Sequence, residues 1–176
     1  MIIKSIELIN FRNYESLSLN FDKGTNILYG DNAQGKTNVL EGIYVSATTK
    51  SHRGNKDKEL IKFDEEEGHI RTYLLTEDVE YRVDMHLRKS KSKGVAINGQ
   101  KIKKAADLLG LLNVVFFSPE DLSLIKNGPS ERRRFVDMGL CQLDKFYLYN
   151  LNQYNKIIVQ RNKLLREFFN NPDLRD

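Results

Sequence analysis

The segment that most constrains this chain is a short loop that fits the phosphate-binding pattern GxxxxGK[ST]. It follows an apolar segment at residues 26–29, and apolar residues recur at helical spacing over residues 39–47 directly after it. The two glycines let successive backbone N–H groups turn toward one anionic cavity at the start of a helix. The pattern therefore predicts that a nucleoside triphosphate is bound by Gly30, Asp31, Asn32, Ala33, Gln34, Gly35, Lys36 and Thr37.

Two side chains of this loop have predicted chemical roles. Lys36 is expected to reach the β and γ phosphates, which makes it the candidate catalytic cation, and the Thr37 hydroxyl is expected to bind Mg²⁺. The order of strand, loop and helix predicts an α/β fold of the P-loop NTPase class. The alternative, a glycine-rich turn with a solvated lysine, is disfavoured by that order.

Composition bounds the class of protein without identifying it. The chain has 176 residues, a net charge of +4 and a pI near 9.0, which suits a nucleic-acid partner without requiring one. The single cysteine, Cys141, excludes an internal disulfide and fits a reducing compartment. No stretch of 18 apolar residues occurs, so the sequence predicts no membrane span and a cytoplasmic location.

Alternation and turn residues predict a sheet-rich first part and a helical last part. Asn98-Gly99 is a strong hairpin signal, and residues 113–117 resemble a strand buried on both faces. Ser118-Pro119 is typical of a helix start. The predicted strands are 2–10, 16–21, 25–29, 69–76, 80–87, 95–97, 100–102 and 113–117, and the predicted helices are 105–112, one from 118, and the region after 130.

The last part of the chain has apolar residues at alternating spacings of four and three. The series is Tyr147, Leu151, Tyr154, Ile158, Leu165 and Phe168. This pattern predicts either the seam of a helix pair or coiled coil, or one amphipathic helix that lies on the core of its own domain.

A second acidic motif is expected in a complete triphosphatase of this type, where it holds the water shell of Mg²⁺ and positions the attacking water. The nearest match in this sequence is the apolar run 114–117, but Ser118-Pro119 separates it from Glu120. Glu120 is therefore a candidate catalytic group on the metal or water side. The sequence also lacks an LSGGQ-like signature.

Several stretches of the sequence are informative when they are taken together: Leu8 to Tyr14, Gly35 to Ile43, Lys50 to Arg53, Phe116 to Leu122 and Gly128 to Asp137. In this order they resemble the RecF family of bacterial DNA replication and repair proteins. The resemblance covers the whole chain and implies the N-terminal part of an ABC-type, SMC-like ATPase head. Such a head has a mixed or antiparallel sheet followed by the start of a helical lobe, with predicted domains at 1–118 and 119–176.

The resemblance also implies what such a protein does. The cofactors would be ATP and Mg²⁺, and the intact protein would bind DNA in an ATP-dependent manner as a homodimer. Gap repair, replication restart and the SOS response are the implied processes, with RecR and RecO as partners. The preferred DNA structure (single-stranded, double-stranded or a junction) stays open. Because the second acidic motif and the signature are absent, this chain is not expected to hydrolyse ATP alone.

Further cations are candidates for phosphate contacts. Arg12 and Arg53 lie in loops that could border the nucleotide, and each could equally be a solvated loop cation. Cations around the predicted hairpin could contact DNA phosphates, or they could serve only to prevent aggregation through the edge of the sheet. These candidates are Arg88, Lys89, Lys91, Lys93, Lys101, Lys103 and Lys104.

Two other functions remain open at this point. A phosphate-loop kinase acting on a small molecule would need an acceptor pocket and an arginine-rich lid. A nucleotide-sensing interaction module would bind nucleotide without turnover until a partner supplied the missing half.

Overall fold

The computed structural model describes residues 1–54, 56–118 and 128–170. The chain divides into two compact units, residues 1–127 and 128–176. The first unit is built on one antiparallel sheet with strand order β2-β1-β3-β4-β5-β6. Its strands are β1 (Ile2–Phe11), β2 (Tyr14–Asn20), β3 (Glu67–Thr76), β4 (Val79–Arg88), β5 (Gly94–Ile97) and β6 (Gln100–Lys101).

One face of this sheet forms the core, because alternate residues of the strands point to opposite faces. On β3 the even-numbered residues from Gly68 to Leu74 are buried, whereas Glu67, His69 and Arg71 are exposed. The inner face carries Ile6, Leu8, Ile70, Leu74, Val83, Met85 and Leu87. The outer face is polar and open to solvent, as is common for antiparallel sheets.

Helix α1 (Lys36–Thr48) packs on the inner face at close range. A Cβ added at Gly42 would lie 3.0 Å from the Leu8 side chain, so glycine at this position allows the close approach. The hydroxyls of Ser46 and Thr72 form a buried hydrogen bond of 2.8 Å between helix and sheet. These contacts set the position of α1, and therefore of the loop that precedes it.

The paired strands agree with the sequence-based expectations where local signals were strong. The strands predicted at 2–10, 16–21, 69–76 and 80–87 are present with small changes at their ends. The predicted hairpin is also present, with Asn98 at φ 50° and Gly99 at φ 80° joining β5 to β6. Positive φ at both central residues matches the backbone twist of a two-residue hairpin loop.

Three element predictions are wrong. Residues 25–29 belong to no strand of the described sheet, and Ile27 and Tyr29 are exposed. Residues 113–117 also form no strand: Val115 and Phe117 are exposed, whereas Val114 packs against the core and the Phe116 ring lies 4.1 Å from the His52 ring, centroid to centroid. The predicted helix 105–112 is a short 3₁₀ turn, Ala105–Asp107, followed by turns that bury Leu108 and Leu112.

The second unit is helical. It contains α2 (Pro129–Leu143) and α3 (Lys145–Asn170), and the Tyr147 hydroxyl donates to Asp137 Oδ1 at 2.5 Å across the pair. The carboxylate acceptor raises the pKa of Tyr147. Tyr154 and Leu165 in the predicted seam are exposed within this unit, and the helix predicted from residue 118 lies mostly outside the described residues. Among the described helices, none is both long enough and apolar enough to cross a membrane.

Candidate nucleotide site

The phosphate-binding loop lies between segment 25–29 and the first turn of α1. Its backbone takes left-handed conformations at Gly30 (φ 140°), Ala33 (φ 65°) and Gly35 (φ 96°). Glycine tolerates such φ values because it has no Cβ. The loop leads directly into α1, which begins at Lys36, so the N-terminus of the helix lies at the end of the loop.

Lys36 folds back across this loop. Its ammonium donates to the carbonyl oxygens of Gly30 at 2.8 Å and Asp31 at 2.6 Å. Thr37 follows in the first turn of α1 and is exposed. Lys36 and Thr37, which are predicted to contact the phosphates and Mg²⁺, thus both lie where the loop meets α1.

The turn between β1 and β2 supports the loop from one side, a role that the sequence analysis missed. The Asn13 amide and the Tyr14 hydroxyl both donate to the carbonyl oxygen of Gln34 at 3.3 Å. Asn38 of α1 donates to Asn13 Oδ1 at 2.8 Å, which joins the turn to the helix. A Cβ at Gly35 would lie 2.6 Å from the Tyr14 oxygen, so this glycine is required by packing as well as by its φ.

Glu41, in the second turn of α1, is the centre of a buried ionic network. Its carboxylate is fully buried and accepts two hydrogen bonds from Arg12, from Nε at 2.8 Å and from a terminal nitrogen at 2.7 Å. Ser51 donates a third at 2.6 Å. Arg12 also donates to the Glu59 carbonyl oxygen at 2.8 Å. The interpretation of Arg12 as a solvated loop cation is therefore wrong, because its guanidinium forms a bidentate ion pair in the interior.

The same carboxylate brings the second candidate arginine to this place. Arg53 lies 3.7 Å from Glu41 Oε2, and its backbone N–H donates to the Ser51 hydroxyl at 3.1 Å. The structure thus assembles Arg12 and Arg53 around one acid on the helix that starts at the phosphate loop. Sequence reasoning missed Glu41 because an acid in a helix is normally exposed, and only the fold shows what it pairs with.

Electrostatics keeps Glu41 ionised despite its burial. Loss of solvent raises the pKa of a buried carboxyl, but the hydrogen bonds from Arg12 and Ser51 and the charges of Arg12 and Arg53 outweigh this effect. The pKa of Glu41 is therefore below its usual value.

The predicted basic cluster is only partly available to a ligand. Lys93 is mostly buried: it donates to the Thr49 carbonyl oxygen and pairs with Asp57 at 2.8 Å, which does not fit a phosphate contact. Lys89 pairs with Glu66 at 3.4 Å, and Arg88 donates to the Ser92 carbonyl oxygen at 3.0 Å. The exposed members are Lys89, which pairs with Glu66, and Lys91, Lys101, Lys103 and Lys104.

Glu120, the candidate acid on the metal or water side, lies outside the described residues. Its role therefore stays a prediction.

A phosphate loop that leads into a helix packed on a sheet defines a P-loop ATPase head. The family model described as an AAA domain matches residues 5–172. The chain is 66% identical over 176 residues to the DNA replication and repair protein RecF of Agathobacter rectalis, covering 100% of this chain and 49% of that protein. It is 49% identical over 174 residues to the RecF of Clostridium novyi, covering 99% of this chain and 48% of that protein.

Solved structures agree with these relatives. The structure of the recombination mediator protein RecF with ATP, in the RecFOR pathway, has a TM-score of 0.89 and 41% identity, covering 94% of this chain and 45% of that one. An Smc head bound to the C-terminal winged-helix domain of ScpA has a TM-score of 0.63 at 21% identity, covering 78% and 50%, which shows a shared fold.

The chain belongs to the AAA domain family and corresponds to the N-terminal part of a RecF ATPase head. It spans about half the length of the curated relatives it matches. The fold expected from the resemblance, a P-loop head of the SMC-like type, is confirmed.

Proposed function

We propose that this chain is the ATP-binding part of a DNA replication and repair protein that binds DNA under the control of ATP. The observation that carries the proposal is the loop from Gly30 to Thr37, with Lys36 held at its mouth and the N-terminus of α1 behind it. The RecF structure with ATP, which is 41% identical, supports ATP as the nucleotide.

Mg²⁺ is the metal that the proposal requires, and the loop fits it. Mg²⁺ binds few protein ligands and keeps several waters, so one exposed hydroxyl beside the phosphates is a sufficient donor set. Thr37 provides that hydroxyl in the first turn of α1. When bound, Mg²⁺ would neutralise charge on the phosphates. Lys36 and the N–H groups at the start of α1 would orient the same phosphates.

Arg53 is the second cation proposed to act at the nucleotide. Its side chain is one-third exposed, and its contact to Glu41 is longer than the two that Arg12 makes. A change in position of Arg53 therefore costs less than one of Arg12. We propose that Arg53 contacts the γ phosphate or DNA while Arg12 keeps Glu41 ionised and in place.

The intact protein would use the nucleotide to dimerise on DNA, acting in gap repair, replication restart and the SOS response in the cytoplasm, with RecR and RecO as partners. The RecF relatives support this proposal by sequence identity over the whole of this chain.

A nucleotide-binding module without turnover is the second candidate function for the chain as it stands. Segments 25–29 and 113–117 carry exposed apolar side chains and belong to no strand of the described sheet. Such side chains are suited to pack against another part of the protein. The chain would then bind ATP and need the other half for hydrolysis.

Calorimetry with ATP and ADP, with turnover followed in the same sample, separates these possibilities. We expect binding of both nucleotides with negligible hydrolysis by the 176-residue chain. Addition in trans of the remaining part of a RecF relative is expected to restore turnover. Absence of any nucleotide binding would contradict the proposal, and steady turnover by the chain alone would contradict the second candidate.

The proposed binding of DNA is tested by substitution of the exposed lysines near the hairpin. Replacing Lys101, Lys103 and Lys104 with glutamine is expected to weaken DNA binding and to lower the salt dependence by about 0.9 in log–log slope for each lost contact to a duplex phosphate. Fluorescence anisotropy of a labelled DNA at several salt concentrations measures both effects.

The matched control for this test is Lys23→Gln, an exposed lysine outside the cluster. If the triple variant had the same salt-dependence slope as the wild type, these lysines would not contact DNA and would only protect the sheet edge from pairing with another chain.

A further inference from the structure

Three side chains on the outer face of the sheet form a cluster that the nucleotide site does not use. Glu67 and His69 are two positions apart on β3, so their side chains share one face, and His86 of β4 lies directly opposite His69. Helix α1 packs on the other face of the same sheet. The cluster is therefore separated from the phosphate loop by the thickness of the sheet.

The cluster already brings ligand atoms of suitable types together. His86 Nε2 lies 2.6 Å from Glu67 Oε2, and the two imidazole rings are stacked with centroids 4.2 Å apart and planes at 18°. One nitrogen or oxygen from each of the three residues lies within 4.8 Å of the others. Ligands of a tetrahedral Zn²⁺ are about 3.4 Å apart, since the bonds to nitrogen and oxygen are about 2.0–2.2 Å. Small rotations of side chains at the sheet surface are enough to close that difference.

The two arginines beside the cluster are each held by acceptors of their own. Arg71 is held by Asp84 at 2.6 Å and by Glu7 at 3.3 Å, so its charge is compensated. Arg88 lies opposite Glu67 in the strand register, but it donates to the Ser92 carbonyl oxygen instead. The carboxylate of Glu67 is thereby left to His86.

There is also room for a further ligand. A pocket of about 610 Å³ lies along this face and is lined by His69 and His86 together with Glu7, Ile9, Arg71 and Lys101. A metal on three protein side chains keeps one coordination position for water or an anion. The pocket offers space for it, and Lys101 adds a positive charge to its lining.

We propose that Glu67, His69 and His86 form a binding site for a Zn²⁺-type divalent cation on the outer face of the sheet. Imidazole and carboxylate donors suit this class of metal, and two nitrogens with one oxygen are a common three-ligand set for zinc with an open position. The ion replaces the direct contact between His86 and Glu67 and links β3 to β4. This site is independent of the proposed ATP function, since it uses none of the same residues.

The first test uses the unmodified chain after removal of metal with a chelator. Zn²⁺ alone is titrated while the ring resonances of the three histidines are followed by NMR. His69 and His86 are expected to shift together and to saturate at one ion per chain, whereas His52, which packs against Phe116 away from the cluster, serves as an internal control. Shifts of all three histidines in parallel, or no saturation at one equivalent, would overturn the site.

The second test measures affinity by calorimetry with Zn²⁺. We expect a Kd on the order of 10 µM or lower, weakened at least about tenfold in His69→Gln and His86→Gln and by a smaller factor in Glu67→Gln. Glu66→Gln is the matched control, because Glu66 is the adjacent exposed acid and pairs with Lys89. Circular dichroism shows whether each variant is folded. Equal affinity of the wild type and the three variants would reject these ligands, and the NMR titration decides the matter if a variant fails to fold.

Discussion

Replacing Lys36 with alanine is expected to lower the affinity for ATP by about tenfold or more, because a single hydrogen bond to a charged group contributes roughly 1.5–3 kcal/mol. In the structure the ammonium lies at the mouth of the loop, between the carbonyl oxygens of Gly30 and Asp31. Alanine is compatible with the helix start but removes the ammonium together with its hydrogen bonds to Gly30 and Asp31. Calorimetric titration with ATP measures the change.

The control for this prediction is Lys50→Ala, an exposed lysine beyond the end of α1. It carries the same charge and is not part of the loop, so its ATP affinity is expected to match that of the wild type. If Lys36→Ala bound ATP as tightly as the control, the loop would not be the nucleotide site.

Replacing Glu41 with glutamine is expected to lower the free energy of unfolding by about 3 kcal/mol, because removing one partner of a buried ion pair leaves an uncompensated charge. Arg12 makes both of its Glu41 contacts in the interior, and glutamine has only one oxygen to accept them. Urea unfolding measures the loss. Glu15→Gln is the matched control: Glu15 is 85% exposed and lies 3.7 Å from Lys62, so less than about 1 kcal/mol is expected.

The pH dependence of stability is a second test of the buried network around Glu41. The pKa of Glu41 is lower in the folded protein than its ordinary value of 4.5, so its contribution is fully present above that pH. The contribution is lost as the pH falls below about 4.5 toward the lower pKa of the folded state. The stability difference between wild type and Glu41→Gln is therefore expected to shrink in that range. A difference that stays constant would show that Glu41 does not titrate in this way.

Local patterns identified the parts of the fold that depend on neighbours in the sequence. The phosphate loop, the alternation in β3 and β4 and the turn at Asn98-Gly99 each carry their signal within a few residues. Segments 25–29 and 113–117 have the same apolar character, but a strand also needs a partner at its side. Sequence alone does not show whether a partner strand lies beside either segment.

The residues of the candidate site also fall into two groups, those with a local sequence signal and those without one. Lys36 and Thr37 were predicted from the spacing of the loop, whereas Glu41 has no local signal that separates it from a surface acid. Its role depends on Arg12 and Ser51, which reach it from the end of β1 and from the loop after α1. Lys93 was a candidate for DNA contact because a lysine in a basic stretch is normally exposed. Only the structure shows that it pairs with Asp57.

The position of Lys36 has a consequence for the entropy of nucleotide binding. A free lysine side chain loses about 2 kcal/mol of rotamer entropy when it becomes fixed. Here the ammonium is already fixed by two carbonyl oxygens before a phosphate arrives. The chain thus orders this candidate phosphate-binding cation during folding, and an incoming nucleotide would meet a charge that exchanges one set of oxygen acceptors for another.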